Sequence, residues 1–156
     1  DSFVSSHPGK NPGDSFESND GAIGPVLWPD HCVQGTKGAK FHKNLNRNHA
    51  RAIIRKGYHK KVDSYSAFLE NDKETKTGLG GYLKGLDIER IFICGLALDY
   101  CCYFSALDAL DLGFEVYLIV DLTRGIDEPE GNISRALDDM NEKGVKFVKH
   151  MCFKKW

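Results

Sequence analysis

No apolar run in the 156-residue sequence approaches the roughly 18 residues that a membrane-spanning helix needs, so a membrane is set aside as a partner. The opening residues, Asp1-Ser2-Phe3-Val4-Ser5-Ser6-His7, lack both the basic start and the apolar stretch of a secretion signal, and the expected setting is cytoplasmic. An excess of charge is missing too. Twenty-one Lys and Arg stand against 22 Asp and Glu, with a pI near 6.6, which gives no electrostatic reason to bind nucleic acid. Cysteine is scarce and odd in number: Cys32, Cys94, Cys101, Cys102 and Cys152 do not form a disulfide framework and are expected to be reduced thiols. Internal repeats, linkers and low-complexity blocks are absent. With 41% hydrophobic and 28% charged residues, the chain reads as one domain over residues 1–156, long enough to bury a core. The sequon Asn132-Ile133-Ser134, without a signal peptide, is read as chance.

What is present changes character along the chain. Residues 1–25 carry three of the five prolines among glycines and small polar residues, and Pro8-Gly9-Lys10-Asn11-Pro12-Gly13-Asp14 is turn chemistry. From about residue 38 elements alternate. Gly38 to Asn48 can form a helix with Ala39, His42 and Leu45 on one face, and Ala52-Ile53-Ile54 is a short strand-like run. Leu79 to Leu86 has helical spacing, and Arg90-Ile91-Phe92-Ile93-Cys94 is a continuous apolar strand ending at Gly95. Tyr100 to Leu112 is an apolar helix that Gly113 can end, Glu115 to Val120 a second apolar strand, Asn132 to Lys143 a last helix before Gly144, and Val145 to Val148 a closing strand. Strand and helix alternating at this spacing predict right-handed crossovers, hence an α/β fold with a parallel sheet and helices on both faces.

Such sheets put ligands beyond the carboxyl ends of their strands. The segments to inspect are therefore Ser5-Ser6-His7, Lys56-Gly57, Gly95 to Cys101, and Asp121 to Arg124. Cys101 sits where a buried strand turns into a helix, a place that favours the thiolate, the nucleophilic form of cysteine. Lys56, at the end of a short strand, would bring a cation to the same rim, where it favours a thiolate and a developing negative charge. His7 and His31 lie in loops and are of the residue type that binds zinc, iron or manganese, though loop histidines also serve no metal. Trp28 and Tyr65 offer flat faces for a planar ring, or anchors for their own loops. Cys32, Cys94 and Cys102 are read as packing residues.

These residues also carry a resemblance. Val26-Leu27-Trp28-Pro29-Asp30-His31-Cys32-Val33-Gln34-Gly35-Thr36-Lys37-Gly38-Ala39 is similar to the metal-and-aromatic loop of nicotinamidases, in the isochorismatase-like cysteine hydrolase superfamily. Lys56-Gly57 followed by Asp63-Ser64-Tyr65-Ser66-Ala67-Phe68, then Gly95-Leu96-Ala97-Leu98-Asp99-Tyr100-Cys101, then Asp121-Leu122-Thr123-Arg124-Gly125-Ile126, follow in the family's order. The likeness runs from about residue 3 to 148.

The resemblance implies an isochorismatase-like, Rossmann-like three-layer fold and a nicotinamidase-type amidohydrolase that converts nicotinamide to nicotinate and ammonia for NAD salvage. Cys101 matches the nucleophile that forms a thioester, and Lys56 the lysine of the family's Asp-Lys-Cys triad. The backbone N–H groups of Ala97 and Cys101 match the oxyanion hole, with a cis peptide at Leu96-Ala97. Trp28 and Tyr65 match the pyridine pocket, and His7 and His31 match ligands of a divalent metal, zinc, iron or manganese. Two parts of the pattern are not matched. The strand ending in the triad's aspartate has no counterpart, so the expected domain is incomplete at its N-terminus and lacks the first central strand. Ser5 stands where the family has a metal-binding aspartate, so metal binding is expected to be weak. The alternative expectation is a metal-poor pseudoenzyme that binds a small aromatic amide or a partner without efficient turnover. The expected partner is the small molecule alone, without nucleic acid or membrane, and a homo-oligomer is left open.

Overall fold

The computed structural model describes residues 1–153. Its centre is a parallel three-stranded sheet of β1 (Arg90–Leu96), β2 (Glu115–Arg124) and β3 (Lys146–Val148), in the order β1-β2-β3. The β1–β2 register runs from Arg90↔Glu115 to Ile93↔Leu118, breaks, and resumes at Gly95↔Thr123, while Leu118 pairs with Phe147 of β3. The crossovers are α2 (Tyr103–Asp111) and α3 (Asn132–Glu142); a short helix, α1 (Leu79–Lys84), precedes β1. A π-helical turn, Leu98–Cys102, joins β1 to α2.

Periodicity explains these elements. Cys102, at the end of the π-turn, is followed at helical spacing by Ala106 and Ala109 of α2, Ala136 and Met140 recur on α3, and Val116 and Leu118 alternate on β2; all seven are buried and belong to one cluster with Phe68, Phe114 and Val145. α2 and α3 each end where a glycine reverses the chain. Gly113 and Gly144 have φ of 87° and 98°, and the residues after them, Phe114 and Val145, donate to Ala109 O and Met140 O at 3.0 and 2.9 Å. The strands are added in one direction, β1-β2-β3, so right-handed crossovers put α2 and α3 on the same face of this sheet, where the alternation of elements led to helices on both faces being expected. The other face is polar and aromatic: Arg90 pairs with Glu115 at 2.5 Å, Lys146 pairs with Glu115, and Tyr117 stacks on Phe92 at 4.8 Å.

Residues 1–77 contain turns and isolated bridges such as Phe3↔Trp28 and Ser15↔Val26. Two features hold this part together. The buried Asp63 carboxylate accepts from Ser2 N–H at 3.2 Å and Gly24 N–H at 2.8 Å. Gly24, at φ 116°, lies so near Phe16 O that a Cβ would sit 2.1 Å from it, which no other residue could tolerate.

The helix expected over Gly38–Asn48 and the strand expected at Ala52–Ile54 are not formed. Only a 3-10 turn at Lys37–Ala39 appears there, and Leu45, Ile53 and Ile54 are 55%, 52% and 39% exposed. Their apolar side chains stay exposed, and without burial neither a short amphipathic helix nor a lone strand is stable. Elsewhere the differences are at element ends. β1 and β2 run on past Cys94 and Val120, and α2 starts at Tyr103 because residues 98–102 take up the wider π-turn.

Met140 is fully buried, so Met140→Ala should cost about 2–5 kcal/mol in a urea titration, whereas Ile53→Ala should fall within about 0.5 kcal/mol of the parent. The Glu115 carboxyl is held down to about 2, from 4.5, by hydrogen bonds from Lys146, Arg90 and Tyr117. A depressed carboxyl stabilises the fold above its unfolded pKa and loses that contribution as pH falls through the folded value, here between 4.5 and about 2. Glu115→Gln should therefore flatten the fall of Tm across that window; identical acid limbs would contradict this.

Candidate active site

β1 delivers the site. It leads through Gly95, at φ 117°, and a cis Leu96-Ala97 peptide into the π-turn, where Cys102 N–H and Tyr100 N–H both return to Ala97 O at 3.0 and 3.2 Å. The cis bond lies where the family resemblance implies it. The turn brings Cys101 to partial exposure while its neighbour Cys102 goes into the core. Burial pushes the Cys102 thiol up to about 12, with the neighbouring Cys101 and Cys94 adding to the rise. The two adjacent cysteines are thus chemically different, one at a surface and one a buried, unreactive thiol.

Lys56 comes from the long 31–62 loop. Its Nζ lies 3.8 Å from Cys101 Sγ and donates to Ser64 O. Among the described residues no ion pair involves Lys56, so no carboxylate neutralises it. Lys56 and Cys101 open onto a cavity of about 570 Å³ that runs along the outer edge of β1, with Tyr65, Phe68 and Leu83 on its walls.

The aromatic residues form a wall beside this pair. Trp28 Nε1–H donates to Tyr65 Oη at 2.8 Å, Tyr100 meets Trp28 edge-on at 4.8 Å, and Tyr65 stacks on Phe104 at 5.4 Å. Burial raises the Tyr65 hydroxyl well above its ordinary value, outweighing the Trp28 hydrogen bond that pulls it down, so it stays a neutral acceptor for the indole. Trp28 and Tyr65 are therefore brought together. Sequence reasoning missed Tyr100 and Phe104, which complete the wall; their spacing of four on the strand-to-helix junction was the available signal.

The histidines are placed differently. His7 Nε2 donates to Asp1 O at 2.9 Å and its ring packs on Phe16 at 4.4 Å. His31 Nδ1 donates to Pro29 O at 2.7 Å and its ring meets Phe3 at 5.3 Å. Ser5 N–H donates to Asp30 Oδ1 at 3.3 Å. Among the described residues no three His, Cys, Asp or Glu side chains converge as a metal would require.

A model of the isochorismatase domain matches residues 3–150. The chain belongs to the isochorismatase family. Within it, the chain is 45% identical over 148 residues to the nicotinamidase of Acinetobacter baylyi, covering 94% of this chain and 67% of that protein. It is 41% identical over 120 residues to the nicotinamidase of Escherichia coli, covering 77% and 56%. Among solved structures, a nicotinamidase/pyrazinamidase of Acinetobacter baumanii superposes with a TM-score of 0.92 at 44% identity, covering 97% of this chain and 72% of that one. An L. infantum protein in complex with nicotinate gives 0.76 at 41% identity, covering 80% and 61%. A Pyrococcus horikoshii pyrazinamidase in complex with zinc gives 0.67 at 40% identity, covering 78% and 63%. The chain thus spans between about half and three quarters of the length of these relatives. Isochorismatase-family architecture accounts for the parallel sheet and its helices. The zinc of the P. horikoshii relative has no matching donor set among the described residues here, and no chemical step below passes through a metal.

The aromatic wall is tied together by one partly buried hydrogen bond. Tyr65→Phe leaves the Trp28 N–H without its acceptor and should lower stability by about 1–3 kcal/mol in a urea titration followed by indole fluorescence. An unchanged urea midpoint would show that this hydrogen bond does not hold the wall together.

Proposed function

We propose that this isochorismatase-family chain carries the nucleophile and pocket of a nicotinamide amidohydrolase. The observation that carries the reading is the 3.8 Å approach of Lys56 Nζ to Cys101 Sγ at the carboxyl end of β1, beside an aromatic wall suited to a pyridine ring. The similarity to nicotinamidases and to a nicotinate-bound structure supports this choice of substrate.

The chemistry follows from the groups present. The Cys101 thiolate, held by the Lys56 ammonium, adds to the carboxamide carbon; a C–S bond forms and the carbonyl π pair moves onto oxygen. The backbone N–H groups of Ala97 and Cys101 are assigned to that oxyanion. Collapse re-forms the carbonyl and breaks the C–N bond, and the nitrogen takes up, through solvent, the proton that the Cys101 thiol gave up on ionising and leaves as ammonia. Water then adds to the thioester, releasing nicotinate and restoring the thiol. Trp28 and Tyr65 bracket the ring throughout. His7 and His31, the proposed metal ligands, each donate one ring N–H to a backbone carbonyl, which leaves the other nitrogen's lone pair for a metal, and they keep only a secondary place because no third donor side chain converges with them among the described residues. The reading extends to salvage of the pyridine ring toward NAD in a cytoplasmic setting. Among the described residues no helix is long and apolar enough to cross a membrane.

A second reading is favoured by one observation. Neither Cys101 nor Lys56 has a carboxylate partner among the described residues, so these residues supply no general base for thiol deprotonation or water attack. That loss is worth about 10²–10⁴ in rate, and the 1–156 chain alone would then bind the amide and turn it over slowly.

Ammonia release from nicotinamide should be abolished by Cys101→Ala and reduced about 10²–10³-fold by Lys56→Ala, measured with a coupled ammonia assay on the longest natural form of the protein. Full activity in Cys101→Ala would end the proposal. For the 156-residue chain by itself the same assay should read well below an intact nicotinamidase; a comparable rate would refute the second reading.

A further inference from the structure

Asp99 has no solvent exposure, stands two residues before Cys101, and has no part in the reaction just described. Its carboxylate is nevertheless fully engaged. Oδ1 accepts from Ile126 N–H at 3.0 Å, and Oδ2 accepts from Asp127 N–H at 2.9 Å and from Asn132 Nδ2 at 3.2 Å. Asn132 Nδ2 also reaches the backbone carbonyl of Asp99 at 3.4 Å. These donors come from the loop that follows β2 and from the first residue of α3. The next residue repeats the attachment, since the Tyr100 hydroxyl donates to Glu128 O. Two consecutive residues of the Cys101 turn are thus fastened to one short loop.

The side-chain type is required by this arrangement. A buried carboxylate is costly unless its lone pairs are filled, and here three N–H groups fill them. An amide in its place would turn an NH2 group toward N–H donors and break at least one of these bonds. The loop also has no room to shift toward the turn. A methyl group added at Gly125 would run into the Ile133 side chain and come within 3.2 Å of Asp99 Oδ1.

We propose that Asp99 is a positioning residue: together with the Gly125–Asp127 loop it latches the Leu98–Cys102 turn so that Cys101 Sγ faces Lys56. The proposal rests on the reading of Cys101 as the nucleophile. It differs in sign from a simple charge effect. A carboxylate acting on Cys101 through its charge disfavours the thiolate, so neutralising it would speed thiolate chemistry. A carboxylate acting through position gives the opposite result, because its removal lets the sulfur drift away from Lys56.

The test is alkylation by iodoacetamide at neutral pH, followed cysteine by cysteine by peptide mapping. In the parent protein Cys101 should react about ten times faster than the exposed Cys32; equal rates would remove the nucleophile reading itself, and the latch with it. In Asp99→Asn and in Gly125→Ala, which leaves the carboxylate in place, Cys101 should slow about tenfold or more while Cys32 keeps its rate and the buried Cys102 stays protected. A Cys101 rate that is unchanged or faster in either variant with Cys102 still protected would overturn the latch. Loss of Cys102 protection in both variants would also overturn it, assigning Asp99 to the fold and not to the position of the thiol.

Discussion

The parallel register between β1 and β2 is the constraint on which the site depends. Arg90 opposite Glu115 sets it at one end, and Val116 and Leu118, with almost no exposure, commit β2 to the face that α2 and α3 cover. A slip of one residue would turn those side chains out and Tyr117 and Glu115 in, a loss of several kcal/mol in burial alone. The register breaks between Ile93 and Gly95 and resumes over Gly95 and Leu96, and the π-turn that carries Cys101 out of the core follows at Leu98. The loop that follows β2 then folds back over that turn. The position of the candidate site is therefore a consequence of where two apolar strands stop being regular.

Polar groups at the site are used in two distinct ways. Asp63 and Asp99 are buried and have their oxygens occupied by N–H donors, so they shape loops. Lys56 and Cys101 are only partly buried and have few partners, so their polar atoms remain available to a substrate. This contrast is the physical ground for separating scaffold from candidate machinery. The same reasoning separates Cys101 from Cys102, adjacent in sequence and opposite in environment.

Much of this was legible in the sequence, for a definite reason. β1, β2, α2 and α3 were readable because each presents a strong period to a neighbour that also has one, and Gly113 and Gly144 mark their ends. The Trp28, Tyr65, Lys56 and Cys101 blocks were readable as a family pattern, and the structure brings Trp28 to Tyr65 and Lys56 to Cys101. The stretch from Gly38 to Ile54 was misread because periodicity states only what a segment can do if an apolar surface is offered to it. Leu45, Ile53 and Ile54 remain exposed. Asp99 passed unnoticed because one acidic residue in an apolar run gives no period at all; its role becomes visible only when the donors of a loop some 27 residues away are seen to converge on it.

The central claim is that Cys101 is the atom to which the substrate carbon becomes bonded. The most direct measurement is to mix the protein with nicotinamide, quench in acid and map the peptides by mass spectrometry. The account predicts one nicotinoyl group, in thioester linkage, on the peptide carrying Cys101 and on no other cysteine, and its disappearance in Cys101→Ala. Nicotinate formed without that adduct, an adduct on a different residue, or neither product nor adduct would contradict it.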